Sequence, residues 1–446
     1  MKNFKSLCLL LTLCMLLASS ALLLSACNSY DETIIVYNWE DYIYSKQDLQ
    51  EDFNNYYFEK TGKTIKVKYS TFDTNETMLT KMLNSNTVAD LICPSEYAIQ
   101  KLVVNGLVQK IDKQSISTIN NVNQQIYDKV KNVYSDFTVN GQAVDITEYF
   151  VPYMMGTLGI LYNADVVTEA DLACGWGLLW NKNNNPDLQG KIYMKDSIRD
   201  SYAAAVLYLL EENRLPSGYE TKSVQELIND TSEAMVSAVS TVLKEQKDSG
   251  CLKGYEVDFG KLAMINEGVM VDLAWSGDAL YAIEEAEAAG VNLDYFVPSS
   301  GGNIWFDGWV IPTNAQNVTA AHVMIEFLNS SDVATKNMIE IGYTSAVDKN
   351  VLSTDNQVAT ILEEAEYDPV EFFEYEVRYP DFADTSLGVM KDFGDRNADI
   401  TTMWENMLGS DVDLTVVWIV IGTVVAVVLI FALVFLTKKK TYRYKK

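Results

Sequence analysis

Strand and helix signals alternate from the start of the folded region, and that alternation restricts the chain to an α/β architecture built on parallel strands. Thr33–Asn38 is an apolar, β-rich run, and Lys46–Thr61 reads as a helix that Gly62 ends from the C′ position. Ile65–Ser70 alternates like a strand, Asn75–Leu83 reads as helix, and Asp90–Cys93 is a short buried strand before Pro94. Parallel strands need long crossovers, and helices on the sheet faces supply them. Strand-like runs return at Gly159–Asn163, Val269–Leu273 and Trp309–Pro312, with helical stretches at Ala203–Glu212, Ser223–Glu245, Ala320–Asn329 and Val333–Ile341. Roughly 380 residues lie between the two ends of the chain, more than one ordinary core holds, so two domains are expected.

The ends fix where such a chain works. Lys2 and Lys5 precede an apolar run from Leu7 to Leu24, the charged and hydrophobic regions of a signal peptide over residues 1–26. Leu24-Ser25-Ala26-Cys27 resembles the lipobox of bacterial lipoproteins, in which the cysteine carries the lipid. Residues 414–436 are an uncharged, mainly apolar stretch long enough to span a bilayer as one C-terminal transmembrane helix. The tail at 437–446 carries Lys438, Lys439, Lys440, Arg443, Lys445 and Lys446, which places it in the cytoplasm by the positive-inside rule. The body is then expected on the outer face of the cell membrane.

Charge narrows the partners. Eight of the 34 basic residues and none of the 61 acids fall in the two terminal segments, so the body carries 26 bases against 61 acids, a net −35. Such a surface repels nucleic acid and draws cations toward it. Cys93, Cys174 and Cys251 remain in the body, an odd trio that allows at most one disulfide, for which Cys174–Cys251 is the candidate; otherwise they are small buried side chains.

Several chemistries fall away. The one histidine, His322, stands in a helical stretch ahead of Ile325 and Phe327 and reads as a half-buried helix residue. A Ser-His-Asp triad would have to use it, and no glycine-x-serine-x-glycine elbow occurs. Metal-binding histidine or cysteine pairs, EF-hand spacing and phosphate-binding loops are also absent, so no cofactor or metal is expected. What stands out instead is the pairing of carboxylates with rings in Trp39-Glu40-Asp41-Tyr42, Arg199-Asp200-Ser201-Tyr202, Trp275-Ser276-Gly277-Asp278 and Trp305-Phe306-Asp307. Aromatic faces attract cations, and partly desolvated carboxylates pair strongly with ammonium groups. Brought together, these segments make a slot for an elongated, multiply cationic molecule. The same surfaces would also suit a sugar, and two carboxylates could cleave a glycoside.

These residues carry a resemblance. Tyr37-Asn38-Trp39 with Tyr42, then Ser70-Thr71-Phe72 leading to Asn75-Glu76-Thr77-Met78, look like the opening of the spermidine/putrescine-binding proteins, extracytoplasmic receptors of polyamine ABC transporters. The similarity continues in order through Asp90-Leu91, Pro94-Ser95, Tyr97, Val151-Pro152-Tyr153, Gly156 and Arg199-Asp200. It closes with Trp275, Gly301-Gly302, Trp305, Asp307 and Ile341-Gly342-Tyr343, covering about Thr33 to Leu408. The apolar stretch 414–436 lies outside it.

The resemblance implies a non-enzymatic, two-lobe periplasmic-binding-protein-like fold with a hinge and an interlobe cleft. Residues 34–156 and 307–351 would form one lobe and 157–306 with 352–408 the other. Gly156, Phe306–Asp307 and the stretch around Val351 are the hinge candidates. It implies that Trp39, Trp275 and Trp305 box the methylene body of the ligand. Asp307 would be the principal counter-ion, with Asp200 at the far end and Asp278 where putrescine-preferring members use an acid. Tyr42, Ser95, Tyr97 and Tyr343 would offer oxygens, with Asp41 a further acceptor. Ser197, where spermidine-type members often carry an acid, and apolar Met390, where the family often places glutamine, depart from the pattern and tilt the expectation toward putrescine. The implied function is polyamine capture for an ABC import permease. The alternatives are a membrane-tethered polyamine sensor or a carbohydrate-binding protein.

Overall fold

The computed structural model describes residues 30–84 and 87–409. The signal segment, Cys27, the stretch 414–436 and the basic tail lie outside the described residues. Among the described residues no helix is long and apolar enough to cross a membrane.

The first lobe begins as the sequence pattern requires. Strand β1 (Glu32–Trp39), helix α1 (Lys46–Thr61), strand β2 (Ile65–Phe72), helix α2 (Asn75–Asn84), strand β3 (Leu91–Ile92) and helix α3 (Glu96–Val104) follow in turn. They build a parallel sheet of order β2-β1-β3, in register from Glu32 opposite Ile65 to Trp39 opposite Phe72. The Ser45 side chain accepts from the Asp48 N–H at the start of α1. Gly62, at φ 72°, closes its other end through a left-handed conformation that side-chain-bearing residues avoid. Leu49, Phe53 and Tyr57 form the buried face of α1.

The second sheet starts with β4 (Val151–Asn163), every residue of which is buried. It continues with β5 (Ile192–Lys195), α4 (Ile198–Glu211), β6 (Leu252–Glu256), α5 (Gly260–Asn266), β7 (Val271–Trp275), α6 (Ser276–Ala289), β8 (Leu293–Phe296) and β9 (Gly302–Trp309). The chain then forms α7 (Val318–Leu328), α8 (Ser331–Ile341), β10 (Thr344–Ser345) and β11 (Leu387–Gly388). Eight strands join in the order β11-β9-β4-β7-β5-β6, with β8 and β10 also paired to β4.

Two long antiparallel strands tie the lobes. Val151, Tyr153 and Met154 at the start of β4 pack with Ile34, Phe53 and Leu91 of the first lobe. Leu158 and Ile160 further along pack with Ile192 and Leu273 of the second. β9 runs back beside β4 with Trp305 opposite Gly156 and Asp307 opposite Met154, and its register slips between Asp307 and Gly308. Val351 lies within a short helix, Lys349–Ser353. Beyond it Leu352, Val358, Leu362, Phe372 and Phe373 pack on Ala334 and Met338 of α8. The chain therefore stays with α8 through Phe373 and rejoins the second sheet at β11.

One open alternative is decided and one expectation needs correction. All three described cysteines are free, so no Cys174–Cys251 disulfide forms. The Cys251 thiol faces the Leu179 and Gln246 carbonyls, and that of Cys174 faces Ala170. The stretch Ser223–Glu245 is not one helix but two, Val224–Leu227 and Glu233–Ser249. Ser232 caps the second with a side chain that accepts from the Met235 N–H. His322 is a partly buried residue of α7 whose Nδ1 lies 2.8 Å from the Val318 carbonyl.

Candidate ligand-binding site

Polar side chains collect where strands hand over to helices. β2 gives way to Asn75 and Glu76 of α2, and β3 to Ser95, the N-cap of α3, and Glu96. β5 leads to Ser197 and Asp200 at the head of α4, and β7 ends on Trp275, three residues before Asp278 in the first turn of α6. Helix N-termini favour carboxylates in that first turn, and ligands of open α/β sheets bind beyond the carboxyl ends of the strands. After β1, Asp41 takes a left-handed backbone (φ 45°), which Asp adopts more readily than most residues.

These handovers line one cleft, about 700 Å³ of atom-free space that opens to solvent. Trp39, Asp41, Tyr42, Ser95, Tyr97, Asp200, Trp275, Asp278, Trp305, Asp307 and Tyr343 all line it, as do Ser197 and Met390. Rings from both lobes meet there. The Trp39 and Trp275 centroids are 6.4 Å apart, Tyr42 and Tyr343 4.7 Å, and Trp305 and Tyr343 5.8 Å. Two glycines make room for them. A methyl group built on Gly156 would stand 2.5 Å from the Trp305 ring, and one built on Gly277 would stand 2.2 Å from the Tyr343 ring.

Asp307 is the most informative group. It is 5 % exposed, and Tyr42 donates a 2.7 Å hydrogen bond to its Oδ2. Its other oxygen, Oδ1, has no hydrogen-bond partner among the described residues, and neither do the buried indole nitrogens of Trp39 and Trp305. No ion pair joins Asp307 to a basic side chain among the described residues. Burial raises its pKa to about 7, against hydrogen bonds from Ser95 and Tyr42 that lower it, with the Asp200 charge raising it further. A buried carboxylate with a free oxygen and no internal cation is poised to receive one.

Asp200 marks the other end. Its Oδ1 accepts from the Trp275 indole N–H at 3.3 Å, and burial raises its pKa against hydrogen bonds from Ser197 and Trp275. Glu76 lies close enough to feel the Asp200 charge, and burial raises its pKa too. Asp278 differs. It is already paired with Lys261 at 3.1 Å and with Lys195 at 3.9 Å, so it meets internal ammonium groups before any ligand.

Sequence reasoning missed Glu76, Glu96, Asp258, Lys261 and Asn303, all on the cleft wall. Glu96 accepts from the Phe306 backbone N–H at 3.0 Å, and burial raises its pKa to about 8. Glu76 stands in the Asn75-Glu76-Thr77-Met78 segment that carries the resemblance, whereas Glu96 follows Ser95 with no mark of its own. Lys261 carries no local signal; the structure shows why Gly260 precedes it, since a Cβ there would stand 2.6 Å from the Glu256 carboxyl carbon.

Residues 49–361 match the profile of the bacterial extracellular solute-binding proteins. The chain belongs to that family. As a solute-binding protein it is a receptor rather than an enzyme. It is 30% identical over 332 residues to the spermidine/putrescine-binding periplasmic protein of Escherichia coli K12, covering 74% of this chain and 82% of that one. It is 29% identical over 310 residues to a putrescine-binding periplasmic protein of Pseudomonas aeruginosa, covering 68% and 75%. Among solved structures, the spermidine/putrescine ABC transporter substrate-binding protein of Streptococcus pneumoniae superposes with a TM-score of 0.59 at 26% identity, over 84% of this chain and 99% of that one. A Listeria monocytogenes protein assigned to spermidine/putrescine ABC transport gives 0.64 at 27%, over 84% and 98%. This solute-binding protein thus has the two-lobe α/β receptor fold.

Proposed function

We propose that this solute-binding protein is the extracytoplasmic receptor of a polyamine ABC importer and binds putrescine or spermidine in the interlobe cleft. The carrying observation is Asp307, buried in a cleft that three tryptophans also line, with one oxygen unpartnered and no cation paired to it among the described residues. Trp39, Trp275 and Trp305 supply apolar walls for the methylene chain, and Asp200 with Glu76 receives the second ammonium. Tyr42, Ser95, Tyr97 and Tyr343 contribute hydroxyls, and Asp41 adds negative field at the mouth. Each charged hydrogen bond contributes about 1.5–3 kcal/mol and each good cation–π contact about 1–2. Ordering of ligand and lobes offsets part of that, which leaves micromolar or tighter affinity.

The lobe division that supports this cleft is 34–156 with 307–351 against 157–306, with the last crossing moved beyond Val351 to the stretch between Phe373 and Leu387. Cys27 as a lipid site and residues 414–436 as a membrane span belong to the same proposal and keep the receptor beside its permease. Calorimetric titration of residues 28–410 with putrescine, spermidine and neutral sugars tests it. Heat with a polyamine and none with sugars is the expected result; silence with both polyamines removes the proposal.

A further inference from the structure

Among the described residues, nine carboxylic acids line the cleft and one basic residue does, Lys261. Its side chain is 10% exposed, and its Nζ stands 3.1 Å from Asp278 Oδ1 and 3.9 Å from Asp41 Oδ2. The Tyr281 ring centroid is 5.4 Å away, and the charge of half-buried Asp258 acts on it as well. An ammonium surrounded by carboxylates and a ring is what the rest of this cleft offers a ligand amine.

Lys261 is held in place. Glu256 Oε2 accepts from the Gly260 N–H at 2.7 Å, while the same carboxylate pairs with Lys195 at 2.5 Å in a site almost closed to solvent. The turn before α5 is thereby pinned to β5 and β6. Asp41 belongs to the first lobe and Lys261 to the second, so the ammonium also bridges the mouth. Of the nine, Asp73, Glu76, Glu96, Asp200, Asp258 and Asp307 make no ion pair among the described residues, and Asp307, with Asp200 beside Glu76, are the two positions a diamine would take.

We propose that Lys261 is a built-in ammonium that fills the Asp278–Asp41 end of the cleft and makes the receptor selective for diamines over triamines. A diamine satisfies Asp307 and Asp200 and stops there. The third ammonium of spermidine meets an acid pair already neutralised, with a like charge beside it in a poorly solvated space. This rests on the polyamine function proposed above and deepens it.

The test is calorimetric titration of putrescine and spermidine into the unaltered protein and Lys261→Met, each checked for folding by circular dichroism. The expected result is that unaltered protein prefers putrescine and that Lys261→Met shifts the affinity ratio at least tenfold toward spermidine. A ratio that stays put while both ligands bind overturns this inference and leaves polyamine binding intact. Failure of the unaltered protein to bind either ligand overturns the polyamine function itself. Should Lys261→Met not fold, Lys261→Gln and a second measurement replace it: the better-bound monoacetyl spermidine, with two charges, should bind the unaltered protein at least as tightly as spermidine. Binding tenfold weaker than spermidine overturns the inference.

Discussion

Lowering the pH from 7.5 to 5.5 should weaken polyamine binding and stabilise the ligand-free protein, two effects of opposite sign from one carboxyl group. Asp307 is held near pKa 7 by burial, against 3.8 for an unperturbed aspartate. Only the ionised form pairs with an ammonium, so binding expels whatever proton the group carries. With a folded pKa of about 7, the ionised fraction falls roughly twentyfold between pH 7.5 and 5.5, equivalent to about 2 kcal/mol. The dissociation constant should rise by at least that factor, because Asp258, raised by burial to about 7, and Glu96, raised to about 8, titrate in the same direction. The folded pKa lies above the unfolded one, so without ligand this group's contribution to stability is present at low pH and is lost as pH rises through about 7. The ligand-free protein should therefore gain about 2 kcal/mol from Asp307 over the same interval. Carboxylates held low, such as Glu32 and Glu326 at about 2, lose their contribution only below pH 4.5 and leave this window clear. Calorimetry in buffers of different ionisation enthalpy should show at least half a proton released per ligand at pH 7. A dissociation constant flat from pH 5.5 to 7.5, with no proton release, would refute the argument.

Other consequences are simpler to check. Gly277→Ala should push the Tyr343 ring out of its place and weaken putrescine by about tenfold, with little change in thermal midpoint if the ring alone moves; unchanged affinity would show that Tyr343 contributes nothing. Because Cys93, Cys174 and Cys251 are free, dithiothreitol should leave the melting temperature of residues 28–410 unchanged, and alkylation after unfolding should label all three. A drop of several degrees on reduction would reveal a disulfide.

How much of this was legible depended on whether a signal was local. The start of the first lobe was, because α1 carries its own stop at Gly62 and β1 to β3 alternate or end at Pro94. β4 was seen only over its last five residues, since it is buried on both faces and so shows no period of two, and Pro152 and Gly156 argue locally against a strand. The break between Val224–Leu227 and Glu233–Ser249 escaped because its only marks are Asp230 and the Ser232 cap. The same rule governs the site. Rings beside acids announced Trp39, Asp200, Trp275 and Asp307, whereas Glu96 looks like any acid in a helix's first turn and Lys261 like any surface lysine. Their roles come from partners distant in sequence, Phe306 for the one and Asp278 and Asp41 for the other.

The central claim is that a buried Asp307 with no ion-pair partner clasps an organic ammonium in a cleft walled by indoles. Titrating putrescine into the unaltered receptor and into Asp307→Asn at pH 7.5 addresses it most directly. Removing one partner of a buried charge pair costs about 3–5 kcal/mol, so the variant should lose at least a hundredfold in affinity while remaining folded. Equal affinity in the two proteins would contradict the account.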